Sequence, residues 1–196
     1  MAAGIWEPLA ISWGDGPTLT AAASASMLPI TAKYTFPPNT IQVGTALRIT
    51  AQGRISCVVT TPGTARFDVR MGSTVVYDSG ALNLNIVAKT TLPWWLDIIL
   101  IARANATNPT ATPLVMFGFG KWTSEAYINT AVATTGPAPG SVISSITGPE
   151  TAPAVGVNAF DNTVSNAFDM NFTQTVATGS FTVHNLMLEA GSVAQA

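Results

Sequence analysis

The chain has 196 residues, of which 47% are apolar and only 9% charged, with a formal net charge of −2 at pH 7. Its length fits one domain, and eight scattered basic residues in an acidic balance argue against a nucleic-acid partner. So low a charge, against roughly 25% in ordinary soluble proteins, would suit a membrane protein. Yet the longest apolar run, Leu92 to Ala102, is about half of the roughly 20 residues a spanning helix needs, and it carries Asp97.

Residues 1–39 read as an extended N-terminal arm. No basic stretch precedes an apolar one here, which argues against a secretory signal. The segment mixes prolines with the small-residue run Ala21 to Ser26, and prolines do not pair freely into central strands. Trp13-Gly14-Asp15-Gly16-Pro17 is a turn cluster by its chemistry; a cation or ligand loop around Asp15 is the alternative to a plain turn. Thr31 to Phe36 and Thr40 to Val43 are candidate short strands joined by Pro37-Pro38-Asn39. Two tryptophans on a loop-rich arm need cover, so Trp6 and Trp13 are the candidate attachment residues, to be buried against a neighbouring subunit.

Residues 40–196 read as a single β-domain. Leu47, Ile49 and Ala51 alternate with Arg48, Thr50 and Gln52, and the pattern restarts after Gly53 as Ile55, Cys57 and Val59. Pro62-Gly63 is a turn into the next run, where Ala65, Phe67, Val69 and Met71 oppose Arg66, Asp68 and Arg70. Met71-Gly72-Ser73 is a second tight turn, into Thr74 to Tyr77. Trp94 to Ala104 is apolar on both faces apart from Asp97 and Arg103, so it belongs in the middle of a sheet or under a second cover.

Asn105 to Pro113 is a loop by composition, and Leu114 to Ala126 is a further strand. There Val115, Phe117 and Phe119 share one parity and Gly118 and Gly120 the other; alternate glycines mean close approach of another backbone. Residues 129–166 form a long loop excursion, with a short strand at Ser141 to Ile146. Ala167 to Val176 and Phe181 to Ala190 close the chain, with Ala177 to Ser180 read as a hairpin loop. About eight main strands with mixed connections indicate an antiparallel β-sandwich of jelly-roll, Greek-key type.

Catalytic chemistry finds little support. His184 is the only histidine, no nucleophile-elbow motif exists, and a hydrogen-bonded structural histidine is the expectation. A lone cysteine, Cys57, on an apolar parity reads as a buried small residue. The carboxylates do not cluster, so neither a metal site nor a cofactor site is expected. Asp97, amid Trp94-Trp95-Leu96 and Ile98, is either an acid of raised pKa in an apolar pocket or the partner of Arg48, Arg54 or Arg103 on an adjoining strand. The glycan-acceptor patterns at Asn105 and Asn171 are those a Thr- and Asn-rich chain shows by chance.

Several blocks together carry a family likeness. They are Thr45 to Ser56, Val59 to Thr64, Gly80-Ala81-Leu82-Asn83-Leu84-Asn85, Lys89 to Leu96, Gly120-Lys121-Trp122-Thr123-Ser124-Glu125-Ala126 and Val183-His184-Asn185-Leu186-Met187-Leu188-Glu189. Across about residues 40 to 190 the chain resembles small virion proteins of tailed bacteriophages. The resemblance implies a jelly-roll subunit built into a phage particle, with no catalytic residues. The expectation is a capsid decoration or auxiliary head protein, homo-oligomeric and trimeric, bound to the major capsid protein or another virion protein. A tail or baseplate jelly roll is the alternative within that class. A carbohydrate- or receptor-binding module is the alternative outside it, with Trp94, Trp95 or Trp122 as stacking surfaces; strand alternation among Leu and Ile reads these instead as core aromatics.

Overall fold

A computed structural model describes residues 6–57, 63–104, 113–127, 144–147, 159–177 and 179–192. In chain order the strands are β1 (Trp6–Ile11), β2 (Ser24–Ser26), β3 (Tyr34–Phe36), β4 (Thr45–Cys57), β5 (Thr64–Met71), β6 (Thr74–Asp78) and β7 (Leu82–Asn83). There follow β8 (Lys89–Ala104), β9 (Leu114–Ser124), β10 (Ser144–Thr147), β11 (Ala159–Phe160), β12 (Asn166–Gln174) and β13 (Ser180–Ser192). The larger sheet runs β1-β13-β4-β8-β9-β10, with β11 also on β9. The smaller runs β2-β12-β5-β6, with β3 sharing β12 and β7 sharing β5. The strand pairs in both sheets are antiparallel.

The order in which the chain visits the sheets defines the architecture. It goes from β1 in the large sheet to β2 and β3 in the small, back to β4, across to β5 to β7, and back to β8. Counting β2 with β3 and β6 with β7 as single interrupted strands leaves two four-stranded layers, β1-β13-β4-β8 and β2/β3-β12-β5-β6/β7. That is the eight-strand jelly roll. Strands β9 to β11 are additions that extend the large sheet beyond β8.

Inward residues follow the two-residue period of each strand. Phe67, Val69 and Met71 from β5 and Phe168, Met170 and Phe172 from β12 meet Leu47, Ile49, Trp94, Leu96, Ile98, Trp122 and Phe181 from the large sheet, all buried. Phe172 and Phe181 stack at 3.9 Å between centroids, and Trp94 stacks on Phe181 at 4.6 Å. Phe67 packs edge-on to Trp122 at 5.2 Å, so rings from β5, β9, β12 and β13 form one cluster across the layers.

The structure corrects several sequence expectations. The extended N-terminal segment does not project from the sandwich, and residue 39 is not a boundary. Strand β1 pairs with β13 and β2 and β3 pair with β12, so this segment supplies the first two positions of the jelly roll. Met27, Leu28, Ala32 and Phe36 lie in the core. The strands were hard to read because each is only a few residues long and is interrupted by proline or by the 3-10 turn Ile30–Ala32. Thr40 to Val43 is not a strand; Thr40 N–H bonds to Pro37 O, and Gln42 caps a turn with Thr45. The two runs flanking Gly53 are one continuous strand, because Gly53 lies so close to Thr182 O (1.9 Å from a would-be Cβ) that only glycine fits.

The link 177–180 is not a hairpin, since β12 and β13 belong to different sheets and the chain crosses between layers there. The turn at Gly72 is a true hairpin, with φ of 60° at the glycine. Gly118 meets its expectation: a Cβ there would lie 1.8 Å from Ile99 O. The short strand expected at Ser141 to Ile146 appears as β10; the rest of 129–158 and the loop 105–112 lie outside the described residues.

Arg66, Asp68 and Arg70 do face away from the core, but Asp68 is only 5% exposed. It receives the Arg70 guanidinium at 2.5 Å, and Arg66 pairs with Asp78 on β6. Register sets Asp68 directly opposite Asp78, so each arginine neutralises one of two facing carboxylates. Cys57 is buried and its thiol is pushed up by desolvation, which leaves little thiolate at neutral pH.

Two outcomes test this architecture. Phe67→Ala should cost about 3–5 kcal/mol of stability, and Asp68→Ala about 1–3 kcal/mol, because Arg70 then loses its carboxylate; chemical denaturation reads both. Deleting residues 1–30 removes β1 and β2, so the shortened chain should lack a cooperative thermal transition. A truncated protein that melts like the full chain would place these strands outside the fold.

Candidate functional site

The outward surface of the large sheet is where chemistry accumulates. Register across β13, β4, β8 and β9 sets four tiers: Asn185–Gln52–Trp95–Thr123, Met187–Thr50–Asp97–Lys121, Glu189–Arg48–Ile99–Phe119 and Gly191–Ala46–Ile101–Phe117. One end is therefore amide- and hydroxyl-bearing around a tryptophan, the middle is charged, and the other end is apolar along β8 and β9.

At the apolar end Phe119 is 58% exposed, with Ile99 and Ile101 nearly half exposed. Phe117 and Phe119 meet edge to face at 5.5 Å, and the Arg103 guanidinium lies 5.5 Å from the Phe117 ring centroid. Ile99, Ile101, Phe117 and Phe119 border a shallow groove of about 540 Å³ that ends at Asp97 and Lys121. β8 does lie mid-sheet, as its double apolar pattern required, but no described residue of this chain covers its second face. Contiguous exposed apolar surface of this kind marks an interaction site.

In the charged middle, Arg48 stands between Asp97 at 3.7 Å and Glu189 at 3.9 Å. Asp97 is thus the partner of Arg48, as one of the two readings required; Arg54 instead donates to Thr91 O and Arg103 lies over Phe117. Both Arg48 contacts are longer than hydrogen bonds. Arg48 Nε, Asp97 Oδ1, Glu189 Oε2 and Thr50 Oγ1 are buried with no hydrogen-bond partner among the described residues. Such atoms are normally satisfied, so this cluster has spare hydrogen-bonding capacity.

The third feature is a groove of about 450 Å³ around Trp95, lined also by Gln52, Arg54, Glu125, His184 and Asn185, with Gly53 and Trp94. Two irregularities build it. β13 shifts register between Val183 and Asn185, and this bulge turns both His184 and Asn185 to the surface. On the other side β4 and β8 slip between Ile55 and Cys57, with Thr91 at a φ of 56°, a costly conformation for a β-branched residue. Arg54 and Ser56 hold Thr91 through its carbonyl and its N–H.

His184 Nδ1 lies 2.7 Å from Asp15 Oδ1, so the expected structural histidine ties the Trp13–Pro17 turn to β13; Gly16 N–H also bonds to Val183 O. Of the attachment candidates, Trp6 packs its ring against Gly191 within the large sheet, while Trp13 is 88% exposed. Among the three possible stacking tryptophans, Trp94 and Trp122 are buried, and Trp95 is 47% exposed. The reading of Trp95 as a core residue is thus overturned: an alternating strand must turn one of two adjacent tryptophans outward. The described residues contain no group of three or more His, Cys, Asp or Glu placed to hold a metal ion. Sequence reasoning missed the groove, because a bulge has no compositional signature in Thr-Val-His-Asn-Leu.

Replacing Arg48 with Met leaves Asp97 and Glu189 without their shared cation. The expected cost is about 1 kcal/mol, given the partial exposure. Urea denaturation at low and high salt should show the loss shrinking as ionic strength rises; an unchanged midpoint at low salt would remove Arg48 from the account.

No protein-family model and no curated protein sequence matches the chain. Among solved structures it is similar to the CBM2 module of the evolved Dit of Lactobacillus casei BL23 phage J-1, with 10% identity and a TM-score of 0.39 over 98% of this chain and 99% of that one. A superposition of that quality does not establish a common fold.

Proposed function

We propose that the chain is a structural subunit of a tailed-bacteriophage virion, an auxiliary protein that coats the assembled head and acts by binding rather than by catalysis. The observation that carries this reading is the uncovered strip Ile99, Ile101, Phe117 and Phe119 on a jelly roll with only 9% charged residues. A surface poor in charge with an exposed apolar strip is what a subunit interface needs. The unsatisfied polar atoms around Arg48 lie next to that strip and would gain partners in the same contact. The particle is inferred from the resemblance of the quoted sequence blocks to small phage virion proteins. On this reading the protein is a homo-oligomer, with a trimer as the expected state, and the major capsid protein is its partner. A tail- or baseplate-associated role is the second reading, favoured by the Trp95 groove, which a purely packing subunit does not need.

The decisive measurement is the amount of this protein relative to the major capsid protein in purified virions, with its position seen by particle reconstruction. A regular ratio on the head supports decoration, a few copies at the tail support the second reading, and absence from particles overturns both. Phe119→Asp should keep the melting temperature to within a few degrees, since the side chain is exposed, yet strongly reduce incorporation. Light scattering of the isolated protein at micromolar concentration should show an oligomer, and Phe119→Asp should shift it toward monomer; a stable wild-type monomer contradicts the proposed assembly.

A further inference from the structure

The groove around Trp95 does not belong to the apolar strip, and its chemistry is different. It lies at the opposite end of the outer face, separated from Ile99 and Phe119 by the charged tier of Asp97 and Lys121. We propose that it is a binding site for a short, uncharged segment of glycan, with Trp95 as the stacking platform.

The argument starts from the ring. A half-exposed indole fixed mid-sheet between Gln52 on β4 and Thr123 on β9 is a rigid, flat apolar surface with polar groups along its sides. A pyranose has the complementary form, with axial C–H groups on one face and hydroxyls around the edge. Such mixed sites, mostly apolar with a few placed polar groups, are the usual form of small-ligand pockets, whose volumes run from roughly 300 to 1,000 Å³; about 450 Å³ accommodates one or two sugar rings.

Around the platform stand side chains that donate, accept or do both: Gln52, Asn185, Thr123, Glu125 and Arg54. Trp94 also lines the groove, and its buried indole N–H has no acceptor among the described residues. The bulge in β13 is what brings His184 and Asn185 to the rim.

Charge decides the ligand class. Each ionisable side chain described at the groove already has a partner within the chain, although that of Arg54 is a neutral carbonyl. Glu125 faces Lys89 at 3.7 Å, His184 is held by Asp15 at 2.7 Å, and Arg54 is bonded to the Thr91 carbonyl at 2.9 Å. Among the described residues Arg54 is a single cation at the groove rather than a cluster that would prefer a phosphate, sulfate or uronate, and there is no acidic cluster to prefer a basic peptide. Neutral hydroxyl-rich ligands fit that balance. The inference does not depend on where in a virion the protein sits, and its test does not use particles.

The test is titration of the full-length protein with neutral oligosaccharides, namely tetramers of β-1,4-glucose, α-1,4-glucose, β-1,4-N-acetylglucosamine and α-1,6-mannose. Saturation-transfer NMR and indole fluorescence are the readouts. At least one tetramer should bind with a dissociation constant in the micromolar to millimolar range. Trp95→Ala should weaken it roughly tenfold or more, the loss of one aromatic contact. Trp95→Tyr should recover part of the affinity. Binding of none of the four at millimolar concentration overturns the proposal, as does binding that survives Trp95→Ala in a folded variant. A preference for a polyanionic oligosaccharide or for a peptide over all four would equally overturn it.

Discussion

The constraint on which the rest of the molecule depends is the aromatic cluster between the layers. Phe67, Phe172, Phe181, Trp94 and Trp122 come from five strands and both sheets, yet no ring centroid in the chain of contacts is more than 5.8 Å from the next. Each buried ring of this size contributes on the order of 1.5–3 kcal/mol by removal from water. Because a strand alternates, committing these residues inward also commits their neighbours outward. Trp95 is exposed because Trp94 stacks on Phe181, and Arg66 and Asp68 face out because Phe67 faces in. The functional surface is in this sense a by-product of core packing.

The two outer faces then diverge. On the small sheet the charged side chains find partners close by: Arg66 pairs with Asp78, Arg70 pairs with Asp68, and Asp169 accepts a hydrogen bond from the Ser26 hydroxyl. These charged side chains are satisfied within the chain. On the large sheet the Arg48 cluster is loosely joined, the β8–β9 strip is uncovered, and a groove opens at the far end. Exposure of large apolar groups on one face, with internal charge pairing on the other, gives the molecule a polarity that a symmetric sandwich lacks. The added strands matter here, since β9 supplies Phe117 and Phe119 and widens the face beyond the four-stranded layer.

A jelly roll by itself carries no function; what distinguishes this one lies in departures from regularity. The bulge at His184 turns a side chain that would alternate inward to the surface, and the slip near Thr91 lies where Arg54 bonds to the Thr91 carbonyl. Both departures converge on one groove, although Thr91 and His184 are far apart in sequence. Each costs ladder hydrogen bonds or backbone strain that the neighbouring strands must offset.

The sequence alone determined the fold class and most long strands, because β4, β5, β8, β9, β12 and β13 each carry several periods of alternation, and a pattern of that length admits one secondary structure. It determined the buried status of Cys57 and the close backbone approach at Gly118, which are local or nearest-strand properties, but for Asp97 it offered three arginines and an apolar pocket, and only the register selected Arg48. What it could not determine is membership of strands too short to show a period. β1, β2 and β3 are strands because β13 and β12 offer them hydrogen-bonding edges, not because their own residues insist on it. For the same reason the segment 177–180, legible as a turn, could not reveal whether it returned to the same sheet or crossed to the other. The groove was decided only by tertiary structure, since it needs Asp15, Gln52, Trp95, Glu125 and His184 from five distant stretches, brought side by side by register and by a bulge.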